Sequence, residues 1–424
     1  MRSLSTGNLN KELSRIRLDK HLATNQLFIK NLQNTRGFHW TNAQYLNQQI
    51  LTAALRDYDP SGKTALLFYH IEADTLYSYL LSAEKLLAQA SVPITNLSGV
   101  AIHPAEEPSS TAKRGGKVSN TGSDRLQLTQ CLLPPDIAIA LQSNSGIERL
   151  LIAPESSLST LPFAQLTPFG DTTLLIERMS IAIVPSLSDL LAKIHYYDTH
   201  VPGNGNAVFD PLQPLIVGDP DYTAFCTSHL QPLPYTSYEA QTIATLLGTK
   251  PLLGQSATPQ AVEQAILHAD FIHIATHGFS SPNQSLDSSY LALTSTSTHC
   301  GLWTARSIQR LKLSGEALVV LSACETGQGQ VHEGGIIGLA RAFQLAGASN
   351  ILMSLWPVPD RTTADFMIQF VQELKKPAPF FPASHLRQIM LSQRKAGVSV
   401  DTWGAFVCFG VPYPPRLQMK IEKP

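Results

Sequence analysis

The 424-residue sequence predicts a doubly wound, mostly parallel α/β sheet with flanking helices. A smaller α/β half comes first, a larger one follows, and a short helical segment precedes both. Three observations carry this. Residues 270–278 (DFIHIATHG) and 317–327 (ALVVLSACETG) contain apolar runs too short for buried helices, as expected of strands covered on both faces. A third run, 214–220 (PLIVGDP), ends in a turn in the same way. Helical patterns lie between these runs, and alternation of strand and helix is the signature of a parallel sheet.

Taken in order, residues 1–58 read as a helical segment, with apolar residues recurring at about helical spacing from Leu13 to Leu55. A helix pair packed on the main domain is the simpler account, and a docking arm for a regulatory partner is the alternative. The stretch is too short for repeats of ~34 residues. DYDPSGK at 57–63 is a turn. Residues 59–200 form the first α/β half, with a strand pair over 66–86 and further strands at 150–153 and 174–184. Within it, 91–125 is rich in turn formers and predicts a mobile loop, its KRGGK at 113–117 a solvated cluster or, more sharply, a processing site. Residues 200–211 read as a linker. The second half spans 212–413: the 214–220 strand, a helix over 235–248 closed by Gly248, a helix from Thr258 with Pro259 at its first position, and then the two strands above. Residues 414–424 are a tail.

The chemistry sits at two strand ends. His277 closes one run and Cys324 the other, 47 residues apart. Ligands of open parallel sheets bind beyond the carboxyl ends of the strands. A free thiol has a pKa of about 8.5 and needs a base to become a nucleophile, which an imidazole supplies. The N–H groups of Gly278 and Cys324 are placed to form an oxyanion hole; in one well-studied protease such a donor contributes roughly 3–4 kcal/mol. A lone His or Cys in an apolar run is usually core, and His273, inside the strand, is read that way. Glu325 reads as a pocket acid or, preferentially, an acceptor holding the glycine loop. Glu333 suits a helix N-terminus. Asp360 reads as the cap of the helix that follows it, or as negative charge for a pocket.

These motifs resemble the CHAT family of caspase-like cysteine peptidases. HIATHG at 273–278, LSACETGQG at 321–329, the run from Glu333 through Trp356-Pro357-Val358, and WGAFVCFG at 403–410 carry the likeness, with LLIAPESSLSTLPFAQL at 150–166 upstream. The resemblance implies a caspase-like sheet whose first half lacks a dyad of its own, a catalytic pair at His277 and Cys324, and Asp219 and Asp221 bordering the substrate pocket. It implies selected protein substrates, and in some relatives defence or cell-death roles that include gasdermin-like targets. Pro359 stands where the family has an acidic residue, which changes the loop backbone locally.

Composition narrows the rest. Hydrophobic residues make up 43% and charged ones 15%, as in a globular protein with a full core. A net charge of −1 gives no general attraction to nucleic acid or anionic membrane. Five scattered cysteines without a CxxC pair indicate neither a zinc site nor a disulfide framework, and suit a reducing cytoplasm. The first residues lack the apolar core of a signal peptide, and no apolar run reaches the ~18 residues of a membrane span. No metal or organic cofactor is expected. The reading is a cytoplasmic cysteine endopeptidase. Its alternatives are a catalytically silent scaffold that binds a partner and a thiol acyl transferase. The side chain preferred at P1 is open, with Asp219, Asp221, Glu325 and Asp360 as candidate pocket acids.

Overall fold

The structure is a computed structural model that describes residues 48–97, 122–155, 158–170, 172–200, 209, 211–224, 230–279, 288–313, 315–323, 333–377 and 380–413. The first helix, α1 (Gln48–Tyr58), buries Leu51, Leu55 and Tyr58, and the Tyr58 hydroxyl donates to the Pro412 carbonyl. This end of the N-terminal segment is therefore packed on the main domain, and the rest of the segment lies outside the described residues. Three antiparallel strands follow: β1 (Thr64–Glu72), β2 (Thr75–Leu81) and β3 (Leu86–Pro93). The third was not expected, because its residues LLAQASVP mix small and polar side chains on an edge. Regular structure continues through Leu97 and resumes in α2 (Gly122–Leu132), so the expected loop at 91–125 is shorter than predicted; 98–121 lie outside the described residues.

Next come α3 (Pro135–Ser143), β4 (Arg149–Ala153), a short α4 (Leu175–Arg178), β5 (Ser180–Ile183) and α5 (Leu187–His200). The strand expected over 174–184 thus begins only at Ser180. The Leu174 N–H donates to Glu177 Oε2 at 2.7 Å and winds the preceding residues into a helical turn. Sequence alternation does not show such a local cap.

The second half opens with β6 (Pro214–Pro220), α6 (Pro234–Leu247), β7 (Leu252–Gly254), α7 (Pro259–Ile266) and β8 (Phe271–Ala275). Gly248 ends α6 at φ +67°, a left-handed conformation that favours glycine, and Thr258 Oγ1 caps α7 by accepting from Ala261 N–H. A small ribbon follows, β9 (Gly278–Phe279), β10 (Tyr290–Ala292) and β11 (Leu302–Thr304), with α8 (Ala305–Ile308). The chain then runs through β12 (Leu318–Ser322), α9 (Glu333–Ala346), β13 (Asn350–Ser354), α10 (Asp360–Leu374), α11 (Pro382–Lys395), α12 (Val400–Trp403) and β14 (Phe406–Gly410).

Eleven strands form one sheet in the order β3-β2-β1-β4-β5-β14-β13-β12-β8-β6-β7. The last strand is the seam: β14 is parallel to β5 and antiparallel to β13. The two halves therefore run in opposite directions, and their carboxyl edges lie at opposite ends of the sheet. Strands β6, β8, β12 and β13 are mutually parallel and buried through their centres, which explains their unbroken apolar runs.

Candidate active site

His277 stands two residues beyond β8, at the carboxyl edge of the second half. Beside it, β12 pairs with β8 in a register that runs from Phe271↔Leu318 to Ala275↔Ser322, and the Thr276 N–H donates to the Ser322 carbonyl at 3.3 Å. Cys324 and Glu325 lie outside the described residues. The strand that leads to them is described through Ala323. Gly278 rests on that strand end: a Cβ there would lie 3.0 Å from the Ala323 carbonyl oxygen and 3.2 Å from its Cβ. The glycine is required by close backbone approach.

The imidazole of His277 is almost wholly buried, at 2% exposure. Its Nε2 lies 2.7 Å from the Gln231 carbonyl oxygen. A carbonyl only accepts, so Nε2 carries a proton there, and in the neutral ring the lone pair belongs to Nδ1. Burial holds the imidazole pKa below its usual value, partly offset by the Gln231 hydrogen bond. The ring is thus held neutral near pH 7. On its flank lies Tyr222, whose ring centroid is 5.0 Å away in an edge-on arrangement.

The acids separate into two groups. Asp221 is occupied by its own turn: Oδ1 accepts from Thr223 N–H at 2.9 Å, Oδ2 accepts from Gln255, and these hydrogen bonds lower its carboxyl pKa. Asp219 and Asp360 share one electrostatic neighbourhood. Burial raises both carboxyl pKa values; Asp221 adds to the rise at Asp219, and Glu239 and Asp219 add to it at Asp360. Both also act electrostatically on the Tyr222 hydroxyl. The cap assigned to Asp360 from sequence is corrected: Pro359 is the N-cap of α10 and makes no side-chain bond. Asp360 instead accepts from the Tyr235 N–H at 3.0 Å, the first turn of the neighbouring α6. Pro359, by fixing its own φ, leaves Asp360 as the first residue of α10 rather than its cap.

Behind this edge lies a buried pair. His273 Nε2 is 2.7 Å from Glu239 Oε1, and both side chains are at most 1% exposed. Glu239 Oε2 and His273 Nδ1 have no hydrogen-bond partner. Sequence reasoning took His273 as core and missed its partner. The signal was present: Glu239 sits with Thr236, Ala240, Ile243 and Ala244 on the buried face of α6, where an acid needs a counterpart. Tyr222 and Gln231 were also missed, and nothing in their local sequence marks them, since each meets His277 only through tertiary structure. Among the described residues no three His, Cys, Asp or Glu side chains are grouped to hold a metal ion, and no helix is long and apolar enough to cross a membrane.

The architecture defines a class of fold, and comparison with known proteins agrees with it. Residues 125–411, more than half of the chain, match the CHAT domain model, and the chain belongs to that family. It is 24% identical over 369 residues to Tetratricopeptide repeat protein 28 of Homo sapiens and 25% identical over 365 residues to the protein of that name from Mus musculus. These matches cover 78% and 77% of the chain but only 15% of either relative. In structure the chain is similar to separase of Saccharomyces cerevisiae, solved in complex with securin, with a TM-score of 0.55 at 11% identity over 97% of this chain and 34% of that one. The fold is thus the caspase-like fold of separase.

Proposed function

We propose that the protein is a cysteine endopeptidase in which His277 activates Cys324 for attack on a peptide carbonyl. One observation carries the reading. Every β8–β12 pair is separated by 47 residues, as in Ala275↔Ser322, and the same interval separates His277 from Cys324. That shared interval is the ground on which His277 is paired with Cys324 in this reading. In the reaction the thiol proton passes to His277 Nδ1 and sulfur bonds the carbonyl carbon. The imidazolium then protonates the leaving amine, and water, deprotonated by His277, hydrolyses the thioester. The N–H groups of Gly278 and Cys324 stabilise the oxyanion.

Asp219 and Asp360 favour a basic side chain at P1, because partly buried carboxylates whose pKa values are raised by burial and by neighbouring acids gain from a nearby cation. The substrate is a protein, a gasdermin-like protein in a cytoplasmic defence or cell-death pathway being the finer form of this reading. A regulatory protein partner fits relatives whose names carry tetratricopeptide repeats and a neighbour solved with securin.

The test is digestion of a diverse peptide library by the wild type, Cys324→Ala and His277→Ala, read by mass spectrometry. Cuts made by the wild type alone, after Arg or Lys, are expected. Equal cutting by Cys324→Ala, or a folded wild type whose Cys324 reacts with a thiol probe no faster than a denatured control, would favour the scaffold.

A further inference from the structure

The turn after β6 is built in an unusual way. Asp219 adopts φ +44°, a left-handed conformation that non-glycine residues seldom take. The next turn residue, Asp221, donates its N–H to Thr294 Oγ1 at 2.8 Å, and that hydroxyl donates to the Gly254 carbonyl at 2.7 Å. The turn is thereby tied to both the ribbon side and β7, and it delivers Tyr222, 8% exposed, to the His277 ring.

The protons at the Tyr222 hydroxyl can be assigned. Thr276 Oγ1 donates its own proton to the Ala292 carbonyl, so in the 2.8 Å contact between Thr276 Oγ1 and the Tyr222 hydroxyl it is Tyr222 that donates. One side chain therefore holds Thr276, the neighbour of His277, through its hydroxyl and meets the imidazole through its ring edge, while the Gln231 carbonyl fixes Nε2. Phe279 lies further off, at 6.3 Å between ring centroids.

We infer that Tyr222 is a positioning residue that holds the His277 imidazole in the rotamer and tautomer required for proton transfer. The inference rests on the proposed dyad. Its signature is a loss of turnover with little change in KM, because substrate contacts are left in place.

The closing experiment uses the full chain and needs no known substrate. Alkylation of Cys324 by iodoacetamide is followed by mass spectrometry in the wild type, His277→Ala, Tyr222→Phe and Tyr222→Leu, each checked for unchanged thermal unfolding. His277→Ala is expected to slow alkylation of Cys324 by about tenfold or more, as for loss of a general base. Tyr222→Leu is expected to approach that value, and Tyr222→Phe, which keeps the ring, to lose only about threefold, in line with the sensitivity of proton transfer to small misplacement. Nitrogen-15 NMR of the His277 ring in Cys324→Ala supplies an independent readout: Tyr222→Leu should convert a single Nε2–H tautomer into a mixture. Should Tyr222→Leu unfold, Tyr222→Phe alone decides through the same two readouts. Wild-type alkylation and an unmixed tautomer in the Tyr222 variants would overturn the positioning role. Equal alkylation of wild type and His277→Ala would instead overturn the dyad and the inference with it.

Discussion

Two buried acids, one in each half of the sheet, are partnered differently. In the first half Asp59, fully buried, accepts from the Ser61 N–H and hydroxyl, from Thr64 Oγ1 at 2.6 Å and from Arg149 Nη2 at 2.8 Å. Both of its carboxylate oxygens are satisfied. In the second half Glu239 has one bond, to His273, and the pair leaves Glu239 Oε2 and His273 Nδ1 without partners. Desolvation makes unpartnered buried polar atoms costly, so a saturated pair reads as architecture and an unsaturated one as a place where something other than stability was retained. The sheet edges differ in the same sense. At the carboxyl edge of the first half Glu155 turns back to accept from the Ile71 N–H. At the opposite edge, in the second half, Asp219 and Asp360 lie partly buried with raised carboxyl pKa values.

The largest effect should come from breaking the saturated pair. Arg149→Met removes the cation and leaves Asp59 charged and buried, at a cost of roughly 3–5 kcal/mol in denaturant unfolding. The pH dependence has a defined sign. Burial alone would raise the Asp59 carboxyl pKa, but hydrogen bonds from Ser61, Thr64 and Arg149, with the Arg149 charge, bring it below the usual 3.8. The unfolded chain then binds the proton first. The stabilisation is complete above pH 3.8 and is lost as pH falls through the lower folded value. An Arg149→Met protein as stable as the wild type at pH 7 would refute the contrast between the pairs. Next in size, Asp360→Asn should lower the preference for Arg or Lys over Leu at P1 by about tenfold, equivalent to about 1.4 kcal/mol. Unchanged selectivity would return Asp360 to the role of a cap for α6.

Much of the second half was legible because its signals are local. The β6, β8 and β12 runs are buried on both faces, so composition alone marks them, and the α6 and α7 termini carry Gly248, Thr258 and Pro259. The 47-residue interval between His277 and Cys324 was visible in the sequence, but its equality with the strand register appears only once β8 and β12 are paired. Edge strand β3 and the turn at α4 were hidden, since the first carries small alanines and polar Gln89 and Ser91 in place of a bulky apolar run and the second depends on a single carboxylate, Glu177. Asp360 was misread because a capping carboxylate looks the same in sequence whether it serves its own helix or a neighbour's.

A smaller effect is expected at the unsaturated pair. Glu239→Gln keeps a hydrogen-bonding partner for the His273 ring, so unfolding should change by about 1 kcal/mol, the scale of one neutral hydrogen bond. A loss as large as that at Arg149 would make the two pairs equivalent as architecture.

The smallest shift, and the most diagnostic for the site, concerns His277 itself. Burial lowers its pKa and the Gln231 carbonyl opposes this only in part. Followed by NMR in Cys324→Ala, its ring should titrate below 6.5, the ordinary histidine value. A base with a lowered folded pKa binds its proton first in the unfolded chain, so its contribution to stability is complete above pH 6.5 and declines as pH falls toward the folded value. Titration above 6.5 in the absence of the thiol would mean that a negative charge reaches the imidazole more strongly than burial does. Asp219 and Asp360, which already act on the Tyr222 hydroxyl, would then act on the base as well.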